Sequence, residues 1–279
     1  MFFASWRFKN DKINAMKNLT LTPLPDVPLI HTGDDLARII INSCQYANLQ
    51  LRDGDILVLA QKIVSKAEGR LVNLADVEPS PRARQLAEET LKDPRVVELI
   101  LSESREIIRT RPGLIVVEHK QGFICANAGI DHSNVDPKTS EVFGDFGSLE
   151  DEFALLLPED SDRSAADLRQ KLEKDSGAKI GILIIDSHGR AWRMGTVGMS
   201  IGISGFPALV DLRGEDDLFG RELKITQVGA ADELAAAASL MMGQANEAQP
   251  IIHVRGFPYP LRESKLSELL RPKEEDLFR

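Results

Sequence analysis

The chain predicts a mixed α/β (α+β) fold, and three observations predict it. Two apolar runs, Ile56-Leu-Val-Leu-Ala60 and Ile180-Gly-Ile-Leu-Ile-Ile185, are continuous enough for strands buried on both faces. Between such runs lie stretches with apolar residues at helical spacing, opened by capping residues. Hairpin-type turns, Gln121-Gly122 above all, interrupt clean β-α-β alternation, so mixed and antiparallel sheets are expected rather than a Rossmann sheet.

Residues 20–30 carry Pro23, Pro25 and Pro28 and should run extended. Thr32-Gly-Asp-Asp35 then supplies cap chemistry for a helix over 36–47. Asp53-Gly-Asp55 turns into the strand 56–60. Ser80-Pro81 opens a second helical zone, which resumes after Asp93-Pro94 and runs to 101. Thr110-Arg-Pro-Gly-Leu114 turns into a strand over 115–119, and Gln121-Gly122 leads into another over 123–127. Residues 136–163 are polar and acidic with no sustained period, and predict a long surface loop. A helix over 164–176 closes at Gly177, and the strand ending at 185 follows. Four glycines within 195–205 (Gly195, Gly198, Gly202, Gly205) imply close backbone approach to a ligand or to another chain, as at a dimer interface. An alanine-rich helix over 230–242 ends at Gly243, and a strand over 250–255 follows it.

With 279 residues, 43% hydrophobic and 28% charged, the chain can bury a substantial core. Its net charge of -9 offers no basic stripe and argues against nucleic acid as a partner. No stretch approaches the roughly 20 apolar residues that span a bilayer, so no membrane partner is expected. Cys44 and Cys125 are too few and too far apart for a disulfide framework or a zinc knuckle; they read as reduced core thiols of a cytoplasmic protein. Residues 1–16 read as an N-terminal extension or the product of an upstream start, because Met16-Lys-Asn-Leu-Thr-Leu21 looks a more conventional beginning. Residues 17–279 then form one unit.

Two segments invite a chemical reading. Asn127-Ala-Gly-Ile-Asp-His-Ser-Asn134 places Asp131 and Asn134 on a glycine-containing turn after a strand. Ile185-Asp-Ser-His-Gly-Arg190 places Asp186 and Ser187 on a second turn at the end of an apolar run. Singly, each is well explained as a turn, since Asp and Asn tolerate left-handed backbone. Together with the basic segment Gln61-Lys-Ile-Val-Ser-Lys-Ala-Glu-Gly-Arg70, they look like carboxylates holding a divalent metal against phosphate oxygens. That basic segment, taken alone, reads as a solvated turn. It lacks the P-loop spacing, and no glycine-rich dinucleotide motif follows a strand. His132 and His188 read as surface turn histidines, and the loop after 240 as a helix cap. No HExxH zinc spacing and no GxSxG elbow occurs.

In series these motifs resemble the coenzyme F420-0:L-glutamate ligases, the F420 γ-glutamyl ligase family. The likeness rests on Pro28-Leu-Ile30 with Gly33-Asp-Asp35, then Val64-Ser-Lys-Ala-Glu-Gly-Arg70, then Asn127-Ala-Gly-Ile-Asp131 with Ser133-Asn134. Asp186 with Gly189-Arg190, Gly198 with Ile201-Gly-Ile-Ser-Gly205, Asp217-Leu218 with Gly220-Arg-Glu-Leu223, Ala231-Asp-Glu233 and Met242-Gly243 complete it. The resemblance covers about residues 20–256 and implies a two-lobed ligase fold in a homodimer. It also implies GTP as co-substrate, F420-0 and L-glutamate as partners, and two divalent cations (Mg²⁺ or Mn²⁺), with K⁺ as a further ion. Carried over by position, Lys66, Asp131 and Asp186 would be catalytic. Asp131 and Asp186 would hold the first metal, and Ser187 and Gln244 the second. Val27, Pro28, Leu29, Ile30, Gln61, Lys62, Lys66 and Asn134 would contact GTP. So would the loop of Leu240, Met241, Met242, Gly243, Gln244, Ala245, Asn246 and Glu247. At Gln244 the family pattern leads one to expect an acid, which puts the second metal's affinity in question. The rival implications are a nucleotide- and metal-binding homologue without ligase activity, and a metal-dependent phosphohydrolase.

Overall fold

The computed structural model describes residues 18–131 and 153–277. Its main sheet has five strands in the order β1-β12-β2-β8-β9. These are β1 (Thr20–Pro23), β2 (Ile56–Ala60), β8 (Gly181–Arg190), β9 (Arg193–Ser204) and β12 (Ile251–Arg255). β2 and β8 run parallel, Ile56 opposite Gly181 through Ala60 opposite Ile185, and every other neighbour in this sheet is antiparallel. The mixed α/β expectation holds.

Both faces of this sheet are covered, which is why its strands read as unbroken apolar runs. On one face Ile56, Val58, Leu183 and Ile185 pack with Ala231, Leu234, Ala235 and Ala238 of α6 (Ala230–Met242). On the other, Leu57, Leu59, Ile182 and Ile184 pack with Ile40 of α1 (Leu36–Tyr46) and Leu168 and Leu172 of α5 (Ser161–Ser176). Asp35 caps α1 as expected, its carboxylate accepting from the Ala37 N–H at 3.1 Å. The second helical zone is two helices, α3 (Pro81–Thr90) capped by Ser80 and α4 (Pro94–Ser102) capped by Asp93, each with proline in its first turn. They adjoin a three-stranded antiparallel sheet of β4 (Ser104–Arg111), β5 (Leu114–His119) and β6 (Ile124–Ala126). Among the described residues no helix is long and apolar enough to cross a membrane.

Four local expectations are corrected. The basic segment after β2 is not a turn but a helix, α2 (Gln61–Ala67), since Ile63 and Val64 bury into the core and Ala67, one turn after Ile63, packs against it. The strand β8 does not turn at Asp186: it continues to Arg190, because β9 pairs with it residue by residue from Asp186 opposite Met199 to Gly189 opposite Thr196. The loop over 136–163 is not structureless throughout. Phe153–Leu155 forms β7, paired with β3 (Leu71–Asn73), and α5 begins at Ser161 rather than 164, with Asp160 as its cap. β4 had no sequence signal, because its outward positions are charged and its register shifts twice.

The glycine-dense stretch does bring backbones together, but the neighbours are the chain's own helices. A Cβ at Gly198 would collide with the Ala235 carbonyl of α6, and one at Gly202 with the Ser161 backbone of α5. Both cysteines are free and buried. Burial, with Asp55 nearby, pushes the Cys44 thiol up to about 11; burial, with Asp186 nearby, pushes Cys125 up to about 12.

Candidate active site

Strand direction gathers the marked residues at one end of the main sheet. β2 ends at Ala60, whose N–H bonds to the Pro250 carbonyl, and the Leu24 N–H bonds to the Ile251 carbonyl at 2.9 Å. Residues 27–30 after β1, the start of α2, Asp186 and the segment after α6 therefore share that end. In open α/β sheets, ligands sit beyond the carboxyl ends of the parallel strands. Past Ala60, β8 has no partner on the β2 side among the described residues, so Asp186 to Arg190 run along an open edge.

Asp131 reaches this end by a different route. Asn127, Ala128 and Gly129 all have positive φ (50°, 53° and 67°), turning the chain sharply after β6. Asp131 then exchanges both backbone hydrogen bonds with Leu155, at 3.0 and 2.9 Å, which fixes it beside β7. Its carboxylate lies 2.7 Å from the Lys62 ammonium in the first turn of α2. Asp186 follows Ile185, which pairs with Ala60 immediately before that turn. Asp131 and Asp186 thus border the same helix start. Lys66 stands one turn further along, four residues from Lys62 and on the same side.

Successive strand residues face opposite ways. Asp186 faces the α2 and β6 side, with the Cys125 thiol as a neighbour. Ser187 faces the α6 side, where its hydroxyl donates to the Gln244 carbonyl oxygen at 2.9 Å. The Gln244 amide nitrogen in turn donates to the Ser239 hydroxyl at 2.9 Å, which keeps the amide oxygen turned toward Ser187. His188 is no surface turn residue: it is largely buried on β8, with Nε2 3.1 Å from Asp186 Oδ2.

The remaining expected contacts divide. Leu29 and Leu240 are exposed, whereas Ile30 and Met242 are buried in the core and can offer only backbone to a ligand. Gln61 is buried, its carbonyl oxygen taken by the Ser65 hydroxyl at 2.9 Å, while its amide nitrogen has no partner among the described residues. Gly243 ends α6 with φ 75°, and Glu247 folds back so that its carboxylate accepts from the Ala245 N–H at 2.8 Å. Arg70 is committed to structure, ion-paired with Glu103 at 3.0 Å and bonded to the Leu157 carbonyl at 2.8 Å. Asn134, His132 and residues 1–16 lie outside the described residues.

Sequence reading missed the ring column behind Asp186. His119 stacks on Phe123 at 4.9 Å, and Phe123 packs against His188 at 5.6 Å. Burial, with Lys120 and Arg70 nearby, lowers His119 to about 4. Only the alternation of Asp186 and His188 on one strand could have signalled this, and it was masked by reading a turn there.

No three His, Cys, Asp or Glu side chains converge into a metal cage among the described residues. Two carboxylates, a hydroxyl and an amide oxygen are nevertheless the hard-oxygen donors that fit Mg²⁺ or Mn²⁺, which often take only one or two protein carboxylates beside substrate phosphates. The fold is mixed α/β, and this sheet end sets acidic and basic side chains side by side. The family model for F420-0:gamma-glutamyl ligase matches residues 26–256. The coenzyme F420:L-glutamate ligase of Methanothermobacter thermautotrophicus is 45% identical, over 94% of this chain and 99% of the relative. Those of Methanopyrus kandleri and Archaeoglobus fulgidus are 43% and 40% identical, over 96% and 92% of this chain and 100% and 95% of theirs. The chain belongs to the F420-0:gamma-glutamyl ligase family.

Proposed function

We propose that the protein joins L-glutamate to coenzyme F420-0, driven by GTP, and extends the tail by further γ-linked glutamates. Family membership over residues 26–256 supports the substrates. The observation that supports the site assignment is the Asp131–Lys62 ion pair in the first turn of α2, the helix that follows Ala60, whose strand partner Ile185 directly precedes Asp186.

A carboxylate does not condense with an amine at neutral pH, because its oxygen is a poor leaving group. The terminal carboxylate of F420-0 therefore attacks the γ-phosphorus of GTP, giving an acyl phosphate and GDP. The amine of L-glutamate attacks the acyl carbon, the C–O bond to phosphate breaks, and the amine proton is lost. Asp131 and Asp186, with Ser187 and Gln244 offering further oxygens, would hold divalent cations, which would supply positive charge near the phosphates. Lys66 neutralises charge on the transferred phosphoryl oxygens, and Lys62 balances Asp131. Residues 27–30, Gln61, Asn134 and the loop over 240–247 hold the nucleotide. Catalysis of this kind is positioning plus electrostatics and needs no enzyme nucleophile.

A second reading, a homologue that binds nucleotide and metal without ligating, is favoured by one observation: Gln244 sets a neutral amide where an acid was expected, and that amide is bonded to Ser187. Incubation with F420-0, GTP, Mn²⁺ and L-glutamate separates the readings by mass. A gain of one glutamyl unit is the expected result. GTP consumed without that gain supports a phosphohydrolase, and no turnover supports a binding module; either outcome overturns the proposal.

A further inference from the structure

The geometry points to His188 as a positioning residue that holds one oxygen of Asp186 and presents the other to a cation. The inference rests on the metal reading above. Asp186 and His188 stand two residues apart on β8 and so share a face. Their side chains are only 16% and 11% exposed, and Nε2 lies 3.1 Å from Oδ2. An ionised carboxylate only accepts, so His188 Nε2 carries the hydrogen. Among the described residues His188 is the hydrogen-bond partner of that carboxylate, which leaves Oδ1 for a ligand.

The imidazole is itself held from behind. Phe123, 6% exposed, packs against it at 5.6 Å with the rings tilted 36°. His119 stacks on Phe123 at 4.9 Å and 11°, and its Nδ1 accepts from the Gln121 N–H at 3.1 Å. The neighbouring Cys125 is a protonated thiol and adds no charge. A strand-borne carboxylate otherwise swings about two side-chain torsions; a hydrogen bond from an imidazole held by this column restricts both. Partners of this kind behind a metal-binding carboxylate typically change metal affinity about 10–100-fold when removed.

The test is Mn²⁺ binding to the full chain, read by electron paramagnetic resonance, with thermal melting as a control. His188→Phe keeps a ring against Phe123 but removes the donor, and its Mn²⁺ affinity should fall by about 10–100-fold with the melt unchanged. His188→Gln restores an N–H near the same place and should recover most of the loss. Phe123→Leu leaves every hydrogen bond intact and should give a smaller loss in the same direction. Wild-type affinity in His188→Phe, beside weakened binding in Asp186→Ala, overturns the inference alone. An equal loss in the Phe and Gln variants overturns it too, because the hydrogen bond would then be irrelevant. Wild-type affinity in Asp186→Ala overturns the metal reading itself.

Discussion

Asp131 and Asp186 are held by different means, and the difference governs what their removal does. Backbone pairing anchors both, Asp131 to Leu155 and Asp186 to Met199, but the Asp131 carboxylate is balanced by Lys62 whereas the Asp186 carboxylate is bonded to His188. Neither carboxylate lies in the hydrophobic core, so Asp131→Ala and Asp186→Ala should still fold yet ligate at least about 10²-fold more slowly. Near-wild-type ligation in either variant would remove that residue from the site. Asp55 is the opposite case. Burial alone would raise its carboxyl, but hydrogen bonds from His253, Arg255 and the Arg52 N–H outweigh it and lower it to about 2. Its stabilisation is therefore complete above the ordinary carboxylate range and is lost as pH falls toward 2. Asp55→Ala strands a buried His253 and should cost about 3 kcal/mol in urea unfolding at pH 7. A loss near zero would show that the cluster is energetically idle. The aspartates of the site were legible in sequence; the histidine beside one of them was not, because hydrogen-bond partners are set by strand register.

Elements with unbroken apolar character or strong caps were read correctly: β2, α1 and α6 match the sequence boundaries to within a residue. Those decided by tertiary packing were not. α2 looked like a basic turn because half its residues are polar, yet its buried side carries Ile63 and Val64. The glycines of β9 read as room for a ligand or another chain, and what Gly198 and Gly202 make room for is α6 and α5. Gly202→Val should therefore destabilise the fold by about 1–3 kcal/mol or more by overpacking against Ser161. An unchanged melting temperature would contradict the close packing of α5 on β9. The same variant should not alter the Mn²⁺ affinity of the fraction that folds.

At the scale of the whole molecule, parallel β2 and β8 carry two chemically marked segments to one end, and antiparallel β12 and β1 bring two more. The collinear motifs named the family, but only the topology explains how segments more than a hundred residues apart come to one end of the sheet. Two residues that are adjacent in sequence, Asp186 and Ser187, end on opposite faces of an open strand edge, so a ligand lying along that edge meets donors from both. On the proposed mechanism, this edge activates a carboxylate by phosphorylation before an amine arrives. F420-0 labelled with ¹⁸O in its terminal carboxylate tests it most directly, with the released phosphate analysed by mass spectrometry. One ¹⁸O should appear in each phosphate released per amide formed; amide formation with unlabelled phosphate would contradict the account.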